Sequence, residues 1–270
     1  MLRRRLATGT VLVLLAIWAI LWLPSFYFGI ALALLVTIGA WEWAGLIRLT
    51  NVVGRSGYTV LVVLCLWLAA SYVHVVVVLT VACCWWLLSL VWVLRFPADR
   101  YWWTNRALAA LAGMLVLVPT WIALMEMHRS AGMGPYLVLF LLVMIWLADS
   151  AAYFAGRRWG AHLLAPRVSP GKTWEGVAGA ALIVVLYAFI SGLIVLPGVG
   201  LLGVFVLLCL VTLMFSIVGD LLESMFKREA GVKDSGSLLP GHGGLLDRID
   251  SLTAAAPVFV LSLLLSGLLK

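Results

Sequence analysis

SMFKREAGVKDSGSLLPGHGGLLDRID, residues 224–250, gathers most of the chain's chemistry into one polar segment between two long apolar runs. Within it stand the cations Lys227, Arg228, Lys233 and Arg248, the carboxylates Asp234, Asp247 and Asp250, and His242 among Gly241, Gly243 and Gly244. What flanks it decides the fold. The chain has 270 residues, 65% hydrophobic and 11% charged, with a mean hydropathy of +1.15. A water-soluble domain has an apolar share near one half, so this composition implies an integral membrane protein built from α-helices, with the polar segment at a membrane face.

A helix needs about 20 apolar residues to cross the hydrocarbon core. On that ruler the sequence predicts nine spans, at roughly 6–23, 26–47, 57–72, 74–94, 107–125, 136–155, 175–196, 200–222 and 252–269. The thinnest divider is Ser71–His74, between the third and fourth. The first run follows three arginines, and no A-x-A site precedes Pro24, so an uncleaved anchor is expected. Lys and Arg accumulate in cytoplasmic loops. With the N-terminus inside, all of the 18 Lys and Arg except Arg129 and Lys270 fall on the cytoplasmic side. The expectation is an all-α polytopic protein of the cytoplasmic (inner) membrane, N-terminus and active face toward the cytoplasm. It forms one domain over 1–270: a helical frame (1–135), a catalytic part with two cytoplasmic loops (136–251) and a last span (252–270).

The formal charge of +7 is explained by this topology and by anionic lipid, so no nucleic-acid partner is expected. Cys65, Cys83, Cys84 and Cys209 lie in apolar runs without metal or disulfide spacing and read as small buried hydrophobes. A homodimer is compatible with the sequence.

Acids near hydrocarbon are the sharper signal, because an unpaired one costs about 2.5–3.5 kcal/mol even on insertion scales. Asp149 lies in the predicted sixth span, Asp220 and Glu223 close the eighth, and Asp247 and Asp250 repeat their three-residue spacing, which sets each pair on one helix face. Carboxylates at one membrane depth repel unless cations join them. Hard oxygen ligands suit Mg²⁺, with Mn²⁺ as the alternative; pairing with Arg228, Lys233 and Arg248 is the structural reading. Glu42, in AWEWAG, reads as a helix-end or structural residue. In the other loop, residues 156–176, Gly171-Lys172-Thr173 fails as a phosphate-binding P-loop because Pro166 stands where a glycine is required. A lysine beside a Thr N-cap still presents charge and free N–H groups suited to phosphate.

The pattern Ser224-x-Phe226-Lys227-Arg228-x4-Lys233-Asp234-x-Gly236-x2-Leu239-Pro240-x-His242-Gly243-Gly244-x2-Asp247-Arg248-Ile249-Asp250 resembles the signature of the CTP-dependent phosphatidate cytidylyltransferases, the CDP-diacylglycerol synthases, with every fixed position filled. Ser169-Pro170-Gly171-Lys172-Thr173-Trp174-Glu175-Gly176 is similar to a second element of that family, with Gly171 where many relatives carry lysine. Asp149 followed by Tyr153, Phe154 and Gly156 is similar to a third. The resemblance covers about residues 145–250.

It implies transfer of the cytidylyl group of CTP to phosphatidic acid, giving CDP-diacylglycerol and pyrophosphate, with membrane lipids as surroundings. It further implies Asp220 and Asp247 as metal ligands, with Asp149, Glu223 and Asp250 as further candidates. Lys172, Lys227, Arg228, Lys233 and Arg248 would clamp phosphates, and His242 would donate to phosphate or protonate the leaving group. Ser169, Thr173, Asp234, Gly243 and Gly244 complete the expected substrate-binding set. Another CTP-using lipid enzyme of related sequence, a polyprenol kinase or an archaeal lipid cytidylyltransferase, is the alternative reading. A transporter fits less well, since the polar residues lie toward one face and no broken-helix pair recurs in two halves.

Overall fold

A computed structural model describes residues 2–98, 101–196, 198–238 and 243–269. Arg100, His242 and Lys270 therefore lie outside the described residues. The helices are α1 (Leu2–Trp22), α2 (Ser25–Leu46), α3 (Val52–Tyr72), α4 (Val75–Arg95), the short α5 (Tyr101–Thr104), α6 (Arg106–Arg129), α7 (Gly134–Trp159), α8 (Trp174–Val195), α9 (Leu202–Ala230) and α10 (Leu246–Leu265). Each of the nine spans expected from hydropathy corresponds to one long helix. Among the described residues, α2 to α4 and α6 to α10 are long and apolar enough to cross a membrane; in α1 the apolar part is Gly9–Trp22. Large apolar side chains such as Leu14, Trp22, Phe26, Leu182 and Leu207 point outward, as they must where the surrounding solvent is lipid. The protein is an all-α, multi-pass membrane protein.

Local chemistry sets the helix ends. The thin divider at Ser71–His74 holds because the His74 side chain caps α4, its Nδ1 accepting from Val76 N at 3.3 Å. Asn51 caps α3, Asn105 caps α6 through Ala107 N and Leu108 N, and Thr173 caps α8, accepting from Gly176 N at 3.1 Å, as its place before an apolar run predicted. Arg48 follows α2 in a left-handed conformation (φ 61°). It completes a Schellman-type end in which Arg48 N donates to Gly45 O and Leu49 N to Ala44 O.

Two departures from the expected spans matter for the site. α9 runs to Ala230, well past residue 222, and its 29 residues span roughly 43 Å against a core of about 30 Å. α10 begins at Leu246 rather than at 252. The polar segment is therefore two helix extensions joined by a loop. A hydropathy ruler stops at the first charges, but the helices continue because those charges have partners. Between α7 and α8, β1 (Leu163–Ala165) and β2 (Ser169–Thr173) form an antiparallel hairpin with Leu163 opposite Thr173 and Ala165 opposite Ser169.

α9 and α10 pack along each other, with α6, α4 and α8 around them. Gly219 allows the closest approach: a Cβ there would stand 2.5 Å from the Asp250 carbonyl oxygen. The neighbouring acids, Asp220 on α9 and Asp250 on α10, are thus brought together by a residue without a side chain. The core around the site end includes Trp43, Trp86, Met225, Phe226 and Leu246, so helices of the first half wall a site whose acids belong to the second.

Candidate active site

Asp247, in the first turn of α10, is held by four donors. Its Oδ2 accepts from Ser235 N (2.9 Å), Ser235 Oγ (3.0 Å) and Gly244 N (2.8 Å), while Oδ1 faces Lys227 Nζ at 2.7 Å. Lys227 also reaches Glu223 Oε1, one helical turn earlier, at 3.2 Å. A second acid–lysine pair stands beside it. Lys172 Nζ, from β2, lies 2.5 Å from Asp220 Oδ2, and Asp220 Oδ1 accepts from Ser224 Oγ at 3.2 Å. In both pairs one carboxylate oxygen is pinned by hydroxyl or backbone donors and the other is presented to an ammonium group.

The remaining acids close the network. Asp149 of α7 has Asp220 and Lys172 as charged neighbours. Asp250 has Asp220, Lys227 and Lys172, and Glu223 has Asp250, Lys227 and Asp247. Five carboxylates thus face two ammonium groups at the ends of three membrane helices. Beneath them lies a small cavity lined by Trp43, Trp86, Gly219, Glu223 and Asp250, among others.

Glu42 carries a role that its place in the sequence only half disclosed. It is 6% exposed, and its carboxylate accepts from Leu245 N (2.9 Å), Leu246 N (2.8 Å) and Ser235 Oγ (3.3 Å). It is a helix-end residue, but the helix is α10, whose first N–H groups it satisfies from α2. Ser235, also unremarked in the sequence, ties Glu42 to Asp247. Gly244 is wedged among them, since a Cβ there would meet Ser235 Oγ at 2.1 Å and Glu42 Oε2 at 2.8 Å. Gly243 has φ +83° and lies against Asp247 and Asp234. These glycines admit the tight loop that aims Asp247.

The hairpin is anchored at both ends. Arg228 Nε donates to Val168 O at 3.2 Å, and at its base Glu175 accepts from His162 Nδ1 (2.6 Å) and His162 N (3.3 Å). Arg228 therefore positions the hairpin that carries Lys172. Ser169 opens β2 and is half-buried; Lys233, Asp234 and Arg248 stand exposed at the rim.

The donor set can accommodate a metal ion. Its oxygens are all hard carboxylates, and Asp220 Oδ2 and Asp247 Oδ1 each already face a cationic ammonium group. No three His, Cys, Asp or Glu among the described residues converge as a ready-made cage. Mg²⁺ is usually held by one or two carboxylates together with substrate phosphates and does not require such a cage.

The sequence profile described as the Cytidylyltransferase family matches residues 3–266. The chain is 40% identical to a phosphatidate cytidylyltransferase of Pseudomonas aeruginosa over 271 residues, 99% of this chain and 98% of that protein. It is 38% identical to one of Haemophilus influenzae over 96% of this chain and 97% of that protein. With one of Brucella suis it shares 50% identity over 125 residues, 46% of this chain and 45% of that protein. The likeness is thus wider than the stretch of about 145–250 on which the motifs rest: the frame helices are included in it. The chain belongs to the cytidylyltransferase family.

Proposed function

We propose that the protein transfers the cytidylyl group of CTP to phosphatidic acid, forming CDP-diacylglycerol and releasing pyrophosphate. The observation that carries this reading is the network of five acids and two lysines at the membrane-helix ends, in a chain so similar to phosphatidate cytidylyltransferases along nearly its whole length.

A phosphomonoester has a second pKa near 6, so the attacking oxygen of phosphatidic acid is mostly ionised at pH 7 and needs no strong base. That oxygen bonds to the α-phosphorus of CTP as the bond from that phosphorus to the oxygen bridging to the β-phosphate breaks. The protein's task is to bring two polyanions together in line and to stabilise charge as it shifts toward pyrophosphate. Lys172 and Lys227 are positioned to exchange their carboxylate partners for phosphate oxygens, Lys233 and Arg248 to close on the nucleotide from the rim, and Arg228 to hold the hairpin. His242 remains a candidate donor to the leaving group.

Five carboxylates would repel CTP if left with two ammonium partners. We therefore assign Mg²⁺, with Mn²⁺ as a substitute, to Asp220 and Asp247, with Asp149, Glu223 and Asp250 in reserve. The ion would supply charge neutralisation on the phosphates. The helix ends carrying these residues are assigned to the cytoplasmic side of the inner membrane, where CTP is available, while the diacyl tails stay in the bilayer. The direct test is purified protein with labelled CTP and phosphatidic acid: a CDP-lipid and stoichiometric pyrophosphate are expected, and labelled product on another lipid acceptor, with none on phosphatidic acid, overturns the assignment.

A further inference from the structure

A second polar cavity, of about 190 Å³, opens at the same end of the helix bundle, on the other side of Phe226 from the acids. Its wall includes Arg48 after α2, Trp103 of α5, Arg106 at the start of α6, and Phe226 and Glu229 of α9. The Phe226 ring packs on Trp43 with centroids 4.9 Å apart, and Trp43 lines the small cavity beneath Glu223 and Asp250. The two cavities thus share a wall, and no residue lines both.

Donors dominate this second cavity. Trp103 is 3% exposed, yet its indole N–H has no acceptor among the described residues, and a buried donor left unmet is destabilising. Arg106 is exposed and forms no ion pair or hydrogen bond among the described residues. Arg48 accepts a left-handed backbone, usually left to glycine, and its guanidinium is fixed by the Glu229 backbone oxygen and, at 3.9 Å, the Glu229 carboxylate. Thr104 also lines it, and the remaining walls are apolar, from Leu46, Ile47 and Ala109. The space is far larger than the roughly 10–15 Å³ that one water needs.

We propose that this cavity binds a phosphate group, carried by a phospholipid headgroup or by a small soluble phosphate, as a site separate from that of cytidylyl transfer. The reasoning rests on complementarity. A phosphate brings several acceptor oxygens and negative charge to two guanidinium groups and a buried N–H, and Arg favours phosphate through its planar fork of donors. Basic pockets between membrane helices are the places where anionic headgroups are held. The apolar walls suit the start of the acyl chains of such a lipid.

The test is calorimetric titration of the full-length protein in detergent with dihexanoyl phosphatidylglycerol and, separately, with inorganic phosphate. Arg106→Gln and Trp103→Phe, which keeps the aromatic bulk and removes the N–H donor, are each expected to weaken binding at least fivefold, with CTP affinity within twofold of the unaltered protein. Weakening for the lipid alone identifies a headgroup site; weakening for both probes identifies the phosphate itself as the ligand. Unchanged binding of both probes in both variants overturns the proposal. So does an equal loss of CTP affinity, because the cavity would then be part of the nucleotide site.

Discussion

Lys172 and Asp220 meet at 2.5 Å between β2 and α9, and the side chains of both are about one quarter exposed. If the pair only stitched the hairpin to the helix, replacing both partners with neutral side chains of similar shape would be nearly neutral, whereas removing one would leave an uncompensated charge. If each partner acts on a different phosphate or metal oxygen during turnover, the double replacement cannot help. Asp220→Asn is expected to lower kcat at least about hundredfold, the scale of a lost transition-state contact. Lys172→Met should raise KM for CTP, and the double variant should stay as inactive as Asp220→Asn while purifying normally. Recovery of activity in the double variant would show a structural pair.

The metal assignment concerns Asp247, whose Oδ2 is pinned by three donors so that Oδ1 is presented. EDTA should abolish turnover and Mg²⁺ restore it. Asp247→Asn, which keeps the shape and removes the charge, should abolish most activity at ordinary Mg²⁺ and raise the half-activating concentration at least about tenfold, one decade being 1.4 kcal/mol of lost affinity. Full activity in EDTA, or an unshifted Mg²⁺ curve in Asp247→Asn, removes Asp247 from the ion.

Glu42 tests whether the frame builds the site. Its carboxylate satisfies two buried N–H groups at the start of α10, those of Leu245 and Leu246, and reaches Ser235; hydrogen bonds to charged groups are each worth about 1.5–3 kcal/mol. Glu42→Gln should lower Tm by about 5 °C or more and raise KM for CTP, because the loop that aims Asp247 loosens. Ser235→Ala, which leaves the α10 cap intact, should change Tm less than Glu42→Gln. Unchanged Tm and KM in Glu42→Gln would mean that α10 keeps its place without the cap.

Hydropathy was enough to find the long helices, because lipid-facing and buried turns are alike apolar and even the divider at His74 was marked by a capping residue. The motifs also located the acids, since charges within an apolar chain must gather to find partners. The ends of α9 and α10 were not legible: whether a helix continues through Lys227 or starts before Asp250 depends on pairing across some twenty residues, which no local pattern carries. The β-hairpin is too short and too rich in Pro and Gly to announce strands. Glu42 showed only that an acid sat between two tryptophans. Its partners lie about two hundred residues away, so the chemistry of the cap exists only in the fold.

Orientation rests on the cations. In a background without Cys65, Cys83, Cys84 and Cys209, single cysteines at Ala161 and Ser237, both exposed on the site face, should be labelled by an impermeant reagent only after permeabilisation. A cysteine at Ala131, between α6 and α7, should be labelled in intact cells. The reverse pattern would falsify a cytoplasmic site.

The rim cations can be separated from cations that serve topology alone. A lysine or arginine that acts only through insertion and attraction to anionic lipid is worth about 1 kcal/mol near the surface, and its loss leaves chemistry untouched. Lys233 stands exposed in the loop between α9 and α10, with no ion pair or hydrogen bond among the described residues, so it can close on an incoming phosphate without first giving up a partner. Arg248 follows Asp247 directly and is exposed at the same rim. A contact made to phosphate charge in a partly dehydrated site is worth about 2.7–4 kcal/mol in the transition state, a hundredfold or more in rate. Alanine at Lys233 or Arg248 should therefore lower kcat/KM for CTP by at least about a hundredfold, whereas Arg100→Ala should lose less than about threefold. The three variants are to be compared in one detergent at equal protein level. Equal, small losses at all three would mark Lys233 and Arg248 as topological charges and leave the nucleotide to Lys172 and Lys227.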